Sequence, residues 1–141
     1  MAWQAPKTNW AVRYDEDGTY AGDYFEAEDF FRITNNIAEL REMAAGLYSL
    51  PACAALPQIT QASFAYADDL NALEDALQML AENTFRPAQM QPFVIWRGNE
   101  PGPGPEDLNR LEGLCAALCE AFTQQAAARK RLAITLGGVQ F

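Results

Sequence analysis

The chain has 141 residues, of which half are apolar and 11% aromatic, and it carries a net charge of −9 with no histidine. This length and apolar content suit one domain with a core of its own and argue against disorder of the whole chain. The acidity argues against nucleic acid or an anionic membrane as a partner, because both select basic surfaces.

The three cysteines are an odd number and no secretory signal precedes them, so we expect folding in a reducing cytoplasm without disulfides. No apolar run approaches the roughly 20 residues that a membrane span needs. The sequence therefore predicts a protein that does not enter a membrane.

Residues 1–26 are predicted to form an extended N-terminal arm followed by a hairpin or loop. Pro6 disfavours helix between Trp3 and Trp10, and a tryptophan-bearing arm packs on its own domain or on a neighbour. The Asp17-Gly18 pair is a turn signal that favours a β-hairpin or an ordered loop.

The acidic turn also raises the possibility of calcium. A calcium-binding EF-hand loop needs its glycine at position 6 and a glutamate at position 12, whereas Gly18 stands at position 4 when Asp15 is position 1. A plain acidic turn is therefore favoured, and calcium at Asp15 and Asp17 stays open.

Three helices are predicted, over residues 27–46, 67–84 and 105–130. Gly46 suits the end of the first helix and Pro105 the first position of the third. Short strands are predicted at residues 93–96 and 132–136, and residues 132–141 form a C-terminal strand or tail.

The helices share a motif, since Asp29, Asp69 and Asp107 are 40 and 38 residues apart and each follows another acid. Counted from these aspartates, apolar residues recur at +1, +4, +8 and +11, which places them on one helix face. The three sets are Phe30, Ile33, Ile37 and Leu40; Leu70, Leu73, Leu77 and Leu80; and Leu108, Leu111, Cys115 and Leu118. A repeat of this period predicts a bundle of three helices around one core.

The paired acids at each helix start suggest a glycosidase-like pair, but their identical place in three helices favours capping and helix-dipole roles. Without histidine the usual catalytic groupings are missing, so we expect no enzyme. Cys115 occupies a core slot of the repeat, and Cys53 and Cys119 supply too few further ligands for zinc. No cofactor is predicted.

Two copies carry an asparagine and a glutamate three positions apart beside the apolar stripe, namely Asn71 with Glu74 and Asn109 with Glu112. Each pair faces solvent, bonds internally, or reaches a segment beside the helix. The first copy has Phe31 and Thr34 at these positions.

Three stretches carry a family resemblance: Trp3-Gln4-x-Pro6-Lys7-Thr8-x-Trp10, then Asp29-Phe30-x-Arg32-Ile33-x-Asn35-Asn36-Ile37, and finally Trp96-x-Gly98-x-Glu100 with Glu106-x-Leu108-Asn109-x-Leu111-Glu112. They resemble attachment segments of structural proteins from tailed phages of Gram-positive bacteria, such as tail-fibre and baseplate proteins. The resemblance implies helices that mediate attachment or oligomer packing.

The sequence thus predicts a mainly α protein, a three-helix bundle of a triplicated motif with an extended N-terminal arm and a few short β-strands. Its expected role is a virion adaptor of the tail, baseplate or fibre, made in the bacterial cytoplasm, oligomeric in the particle and bound to other virion proteins. The alternative is an acidic cytoplasmic regulatory or chaperone-like protein for a basic partner. The residues expected to bind partners are Trp3, Trp10, Asn71, Glu74, Trp96, Asn109, Glu112 and Phe141.

Overall fold

A computed structural model describes residues 2–57, 67–88, 90–98 and 103–135, with the side chains of 133–135 excepted. Three helices account for most of these residues: α1 (Ala27–Ala45), α2 (Ala67–Asn83) and α3 (Pro105–Thr135). Each helix packs against the other two. The mainly helical class and the joint packing of three helices are confirmed.

The triplicated apolar spacing defines the core. All twelve residues at the four repeat positions are buried, from Phe30 in α1 to Leu118 in α3. Cys115 lies among them, packed like the isoleucine and leucine at the same position of the other copies. Phe122 continues the stripe of α3 by one more step and is fully buried. The three helices therefore share one core built from equivalent positions.

The acids of the motif act at the helix starts. The Asp29 carboxylate accepts a hydrogen bond from the backbone N–H of Glu26 at 2.9 Å, three positions before it. Asp107 does the same for Gly104 at 3.2 Å. These bonds satisfy backbone donors that a helix start leaves unpaired, and the negative charge suits the helix dipole.

The helix ends differ from the predictions in two places. Gly46 caps α1 with φ −78° and is not in the left-handed conformation that favours glycine there. α3 continues to Thr135, so the strand predicted from residue 132 is wrong for residues 132–135. No proline or glycine interrupts the chain between Pro105 and residue 135 except Gly113, so the helix simply propagates through the cations at 129–131.

The three helices run in the same direction. In their first halves, Arg32 of α1 pairs with Glu112 of α3, and Arg110 of α3 pairs with Glu74 of α2. Beyond the other end of α1, the Tyr48 ring packs on Phe122 of α3. Just beyond the end of α2, Phe85 lines a cavity together with Ala121 and Gln124 of α3. Each connector, residues 46–66 and 84–104, has 21 residues. That length exceeds what is needed to return along a helix of roughly 28 Å.

The segment before α1 contains no helix within residues 2–26. An isolated antiparallel bridge joins Tyr14 to Tyr20 around a turn in which Gly18 has φ +85°. The turn is the ordered loop expected from Asp17-Gly18, and it is the sole β pairing among the residues described. Residues 93–96, predicted as a strand, lie in no ladder, and the backbone of Trp96 pairs with the Asn71 side chain of α2.

No helix in the described part of the chain combines the length and the apolar character needed to cross a membrane.

We predict that Leu77→Ala lowers the free energy of unfolding by about 2–5 kcal/mol, because Leu77 is fully buried among all three helices. The control is Ile95→Ala at an exposed position, with an expected change within about 0.5 kcal/mol. Urea unfolding monitored by circular dichroism measures both. Equal changes in the two variants would contradict the shared core.

Candidate functional site

The side chain of Asn109 holds the backbone of Trp10 from both sides. Its Oδ1 accepts from the Trp10 N–H at 2.8 Å, and its Nδ2 donates to the Trp10 carbonyl at 3.1 Å. A side-chain amide presents a donor and an acceptor like a backbone peptide, so Asn109 pairs with Trp10 as a neighbouring strand would. The N-terminal segment is thereby fixed to the first turns of α3.

The carboxylate of Glu112, one helical turn further on, collects four donors. The Trp10 indole N–H donates at 2.6 Å, the Lys7 backbone N–H at 3.0 Å, and the Arg32 guanidinium donates two bonds at 2.7 and 3.0 Å. Glu112 is only 1% exposed and Trp10 only 5%. A buried carboxylate is stable only with such compensation, so this site requires all three stretches of chain.

Arg32 pairs with Glu112 in the bidentate geometry that suits a guanidinium and a carboxylate. Asp29 adds a second carboxylate at 3.0 Å from Arg32. The hydrogen bonds that Arg32 donates to Glu112, opposed by burial and supported by the charges of both acids, raise the pKa of Arg32. The guanidinium therefore stays charged, and α1 is tied to α3 by charge as well as by apolar packing.

The same arrangement occurs between α2 and α3. Asn71 Oδ1 accepts from the Trp96 N–H at 2.7 Å, and Asn71 Nδ2 donates to the Trp96 carbonyl at 2.9 Å. The Trp96 indole N–H donates to Glu74 at 3.0 Å, and Arg110 donates twice to Glu74 at 2.6 Å. Burial by itself lowers the pKa of Arg110, but the bonds and charge of Glu74 outweigh it, and the pKa is raised.

We call each of these groups of four residues a tryptophan clamp. The first is formed by Trp10, Asn109, Glu112 and Arg32, and the second by Trp96, Asn71, Glu74 and Arg110. In both, the segment bearing the tryptophan leads into the helix that supplies the arginine. Asparagine and glutamate come from a neighbouring helix.

The clamps use equivalent positions of the repeat, and their arginines point the same way around the bundle, from α1 to α3 and from α3 to α2. Position +3 carries Arg32 in α1 and Arg110 in α3, and position +5 carries Glu74 in α2 and Glu112 in α3. The contact from α2 to α1 would need an arginine at +3 of α2 and a glutamate at +5 of α1. Those positions hold Ala72 and Thr34, so two of three possible clamps are formed.

Two further asparagines fix the start of the chain, and the sequence analysis did not identify them as binding residues. Asn36 exchanges two bonds with the Gln4 backbone, at 2.9 and 2.8 Å, and Asn35 Nδ2 donates to the Ala2 carbonyl at 2.8 Å. Both asparagines are buried within α1. Asparagine has a low helix propensity, so two adjacent asparagines inside a helix were a sign that their side chains bind another part of the protein.

Lys7 links the N-terminal segment to the loop after it. Its ammonium lies 2.8 Å from Asp23 and 4.3 Å from the centre of the Trp10 ring. The hydrogen bond from Lys7, followed by that from the Ala11 N–H, lowers the pKa of Asp23. This contribution is present above the ordinary pKa of an aspartate and is lost as the pH falls through the lowered value.

Six of the eight residues predicted to bind partners take part in the two clamps, three in each clamp. Asn71, Glu74, Asn109 and Glu112 each reach a segment lying beside their helix, and that segment belongs to the same chain. Trp3 is half-buried and packs against the core. Phe141 lies outside the described residues. Binding of these residues to other proteins stays a prediction.

The candidate metal ligands, namely the cysteines and the acidic turn, have other contacts in the structure. Cys115 is buried, and burial, followed by the charge of Glu112, raises the pKa of its thiol. Asp17 accepts a hydrogen bond from the Thr19 N–H at 3.0 Å within the turn. In the described ranges, no three cysteine or acidic side chains converge in a metal-binding group.

Comparison with known proteins finds no family model, no curated protein and no solved structure that matches this chain.

We predict that Glu112→Gln lowers the free energy of unfolding by roughly 2–3 kcal/mol, because it removes the charge that faces the half-buried Arg32 while Asp29 remains. The matched control is Glu82→Gln, whose partner Arg86 is exposed and 3.8 Å away, with an expected loss below about 0.5 kcal/mol. Urea titration of both variants measures the difference. Similar losses would show that the buried pair carries no special weight.

We further predict that the two clamps respond separately to mutation. Asn109→Ala removes the partner of the Trp10 N–H, so hydrogen exchange of the Trp10 amide should accelerate at least about tenfold, corresponding to about 1.4 kcal/mol. The Trp96 amide should stay protected. Asn71→Ala should give the reverse pattern, as followed by two-dimensional NMR. Acceleration at both amides in both variants would mean that the segments unfold together.

Proposed function

We propose that the chain is a structural protein of a phage virion, an adaptor of the tail, baseplate or fibre attachment region without enzymatic activity. One observation carries the proposal: residues of the phage-like motif form the clamps, which join each helix to a tryptophan-bearing segment and to the neighbouring helix. Trp96, Asn109 and Glu112 belong to the resembling stretches, and all three take part in clamps.

The α3 helix explains why such a motif suits assembly. Among the three helices, only α3 carries the asparagine, the glutamate and the arginine of a clamp. Asn109 and Glu112 bind Trp10 and α1, and Arg110 binds Glu74 of α2. Three identical parallel helices with this set would close a ring in which every helix gives an arginine and receives one. A cyclic trimer of that kind has a single repeated interface.

This chain then represents a single-chain counterpart of a trimer. The three helices share one core and run in the same direction, and two of the three interfaces retain the clamp. A pseudo-three-fold unit of this type suits the end of a trimeric partner, such as a fibre, to which it presents three similar helix starts. Residues 132–141 and the exposed face of the N-terminal segment, whose Trp10 is buried against α3, are the proposed contacts with neighbouring subunits.

Mass spectrometry of particles purified on a density gradient tests the proposal. The chain should sediment with the tail proteins at a constant ratio through successive gradients and remain bound after a wash at high salt. Cross-linking should place one copy beside three copies of its partner. A chain found only in the unbound fraction would refute the virion assignment.

The acidic charge supports a second candidate, a regulatory or chaperone-like protein that binds a basic partner in the cytoplasm. The same experiment separates the two functions. Salt-sensitive capture of a basic protein, with the chain absent from particles, would favour the second. An abundant host cytoplasmic protein serves as the control for contamination of the particle fraction.

A further inference from the structure

The loop between the N-terminal segment and α1 exposes an aromatic patch. Tyr14 and Tyr24 are 67% and 66% exposed, and their ring centroids lie 5.4 and 5.0 Å from that of Tyr20, which stands between them. Exposed tyrosines grouped in this way are typical of interface centres rather than of free surface. We call residues 11–24 the tyrosine hairpin.

The tyrosine hairpin has a defined shape. The Ala21 N–H donates to Arg13 at 2.8 Å, and the Asp23 N–H donates to Ala11 at 3.1 Å. A side chain at Gly22 would meet backbone atoms of Ala11 and Arg13 at 2.7 Å, so the two arms approach as closely as glycine allows. The patch is therefore presented in a fixed conformation, which limits the entropy lost on binding.

The turn of the tyrosine hairpin is acidic. Asp15, Glu16 and Asp17 are exposed there, and the ion pairs of the described residues include none of them. Tyrosine faces attract cations, and the adjacent carboxylates add to that attraction. A partner segment with arginine or lysine beside an apolar residue fits this surface.

The chain itself presents such a segment at its opposite end. Beyond Phe122 the core stripe of α3 becomes polar, and residues 126–132 are exposed. They include Arg129, Lys130, Arg131 and Leu132, which we call the basic tip, and no acidic residue follows Glu120 in the sequence. Neither Lys130 nor Arg131 forms an ion pair with any described residue.

The two surfaces cannot meet within one molecule. The tyrosine hairpin is fixed to the start of the bundle by Trp10, which bonds to Glu112, and by Phe25, which packs on Phe30. The basic tip lies 18 residues beyond Glu112 on the continuous helix α3, roughly 27 Å along its axis. Since the acidic tyrosine hairpin and the basic tip lie at opposite ends of the bundle, each can bind the other only in a second molecule.

We propose that the basic tip of one copy docks on the tyrosine hairpin of a second copy, so that the chains associate head to tail. Lys130 and Arg131 pair with Asp15 and Glu16, and Leu132 packs against the tyrosine rings. A contact between two different surfaces repeats at each added copy and yields a ring or an open filament. This association does not depend on whether the chain is carried in a virion.

Sedimentation of the full chain tests the proposal. The average mass should rise with protein concentration at about 50 mM salt and fall towards the monomer at about 500 mM, where charges are screened within a few ångströms. A chain that stays monomeric at every concentration in low salt overturns the proposal. The two surfaces would then serve another partner.

Charge reversal identifies the contact. The tip-reversed variant (Lys130→Glu with Arg131→Glu) and the hairpin-reversed variant (Asp15→Lys with Glu16→Lys) should each weaken association by about tenfold or more. All four side chains are exposed, so circular dichroism and urea unfolding should match the original chain.

The chain that carries all four reversals has complementary ends again and should recover association to within about threefold. A 1:1 mixture of the two singly reversed variants should also form mixed complexes. Failure of both to recover overturns the head-to-tail contact, as does a tip-reversed variant that associates like the original. The latter would mean that two tyrosine hairpins meet each other.

Discussion

The carboxylate of Glu112 is the point on which the arrangement of the chain depends. It receives the N-terminal segment through Lys7 and Trp10, and it receives α1 through Arg32. Since it is buried, each missing donor would leave charge without compensation in a medium of low polarity. Glu74 has the same role in the second clamp, where it accepts hydrogen bonds from Arg110 and Trp96. The bundle thus joins apolar packing to two buried charges whose partners lie far apart in sequence.

The clamps supply a kind of information that the core lacks. Three apolar stripes of identical spacing resist a shift of one repeat step only weakly, because hydrophobic burial is not directional. A bidentate arginine–glutamate pair fits in one register only. We infer that the core provides most of the stability, whereas Arg32 and Arg110 set the level of each helix against its neighbour.

Spacing in the sequence was sufficient to predict the core, since every apolar residue at the four repeat positions is buried. It was also sufficient to single out Asn71, Glu74, Asn109 and Glu112. It did not pair Trp10 with Asn109, because 99 residues separate them and no local rule links such distant residues. The two connectors of 21 residues also fit a common direction of the helices, because neighbouring antiparallel helices usually need shorter connectors.

The common direction of the helices has a consequence for the order in which the chain can fold. Residues 2–10 are synthesised before all three helices, yet their binding site on α3 is made about 100 residues later. Until then the tryptophans of this segment and the stripe of α1 have no complete surface to cover them. A segment that is synthesised before the helices consequently reaches its place only after α3 has formed, and closing so long a loop makes that step slow.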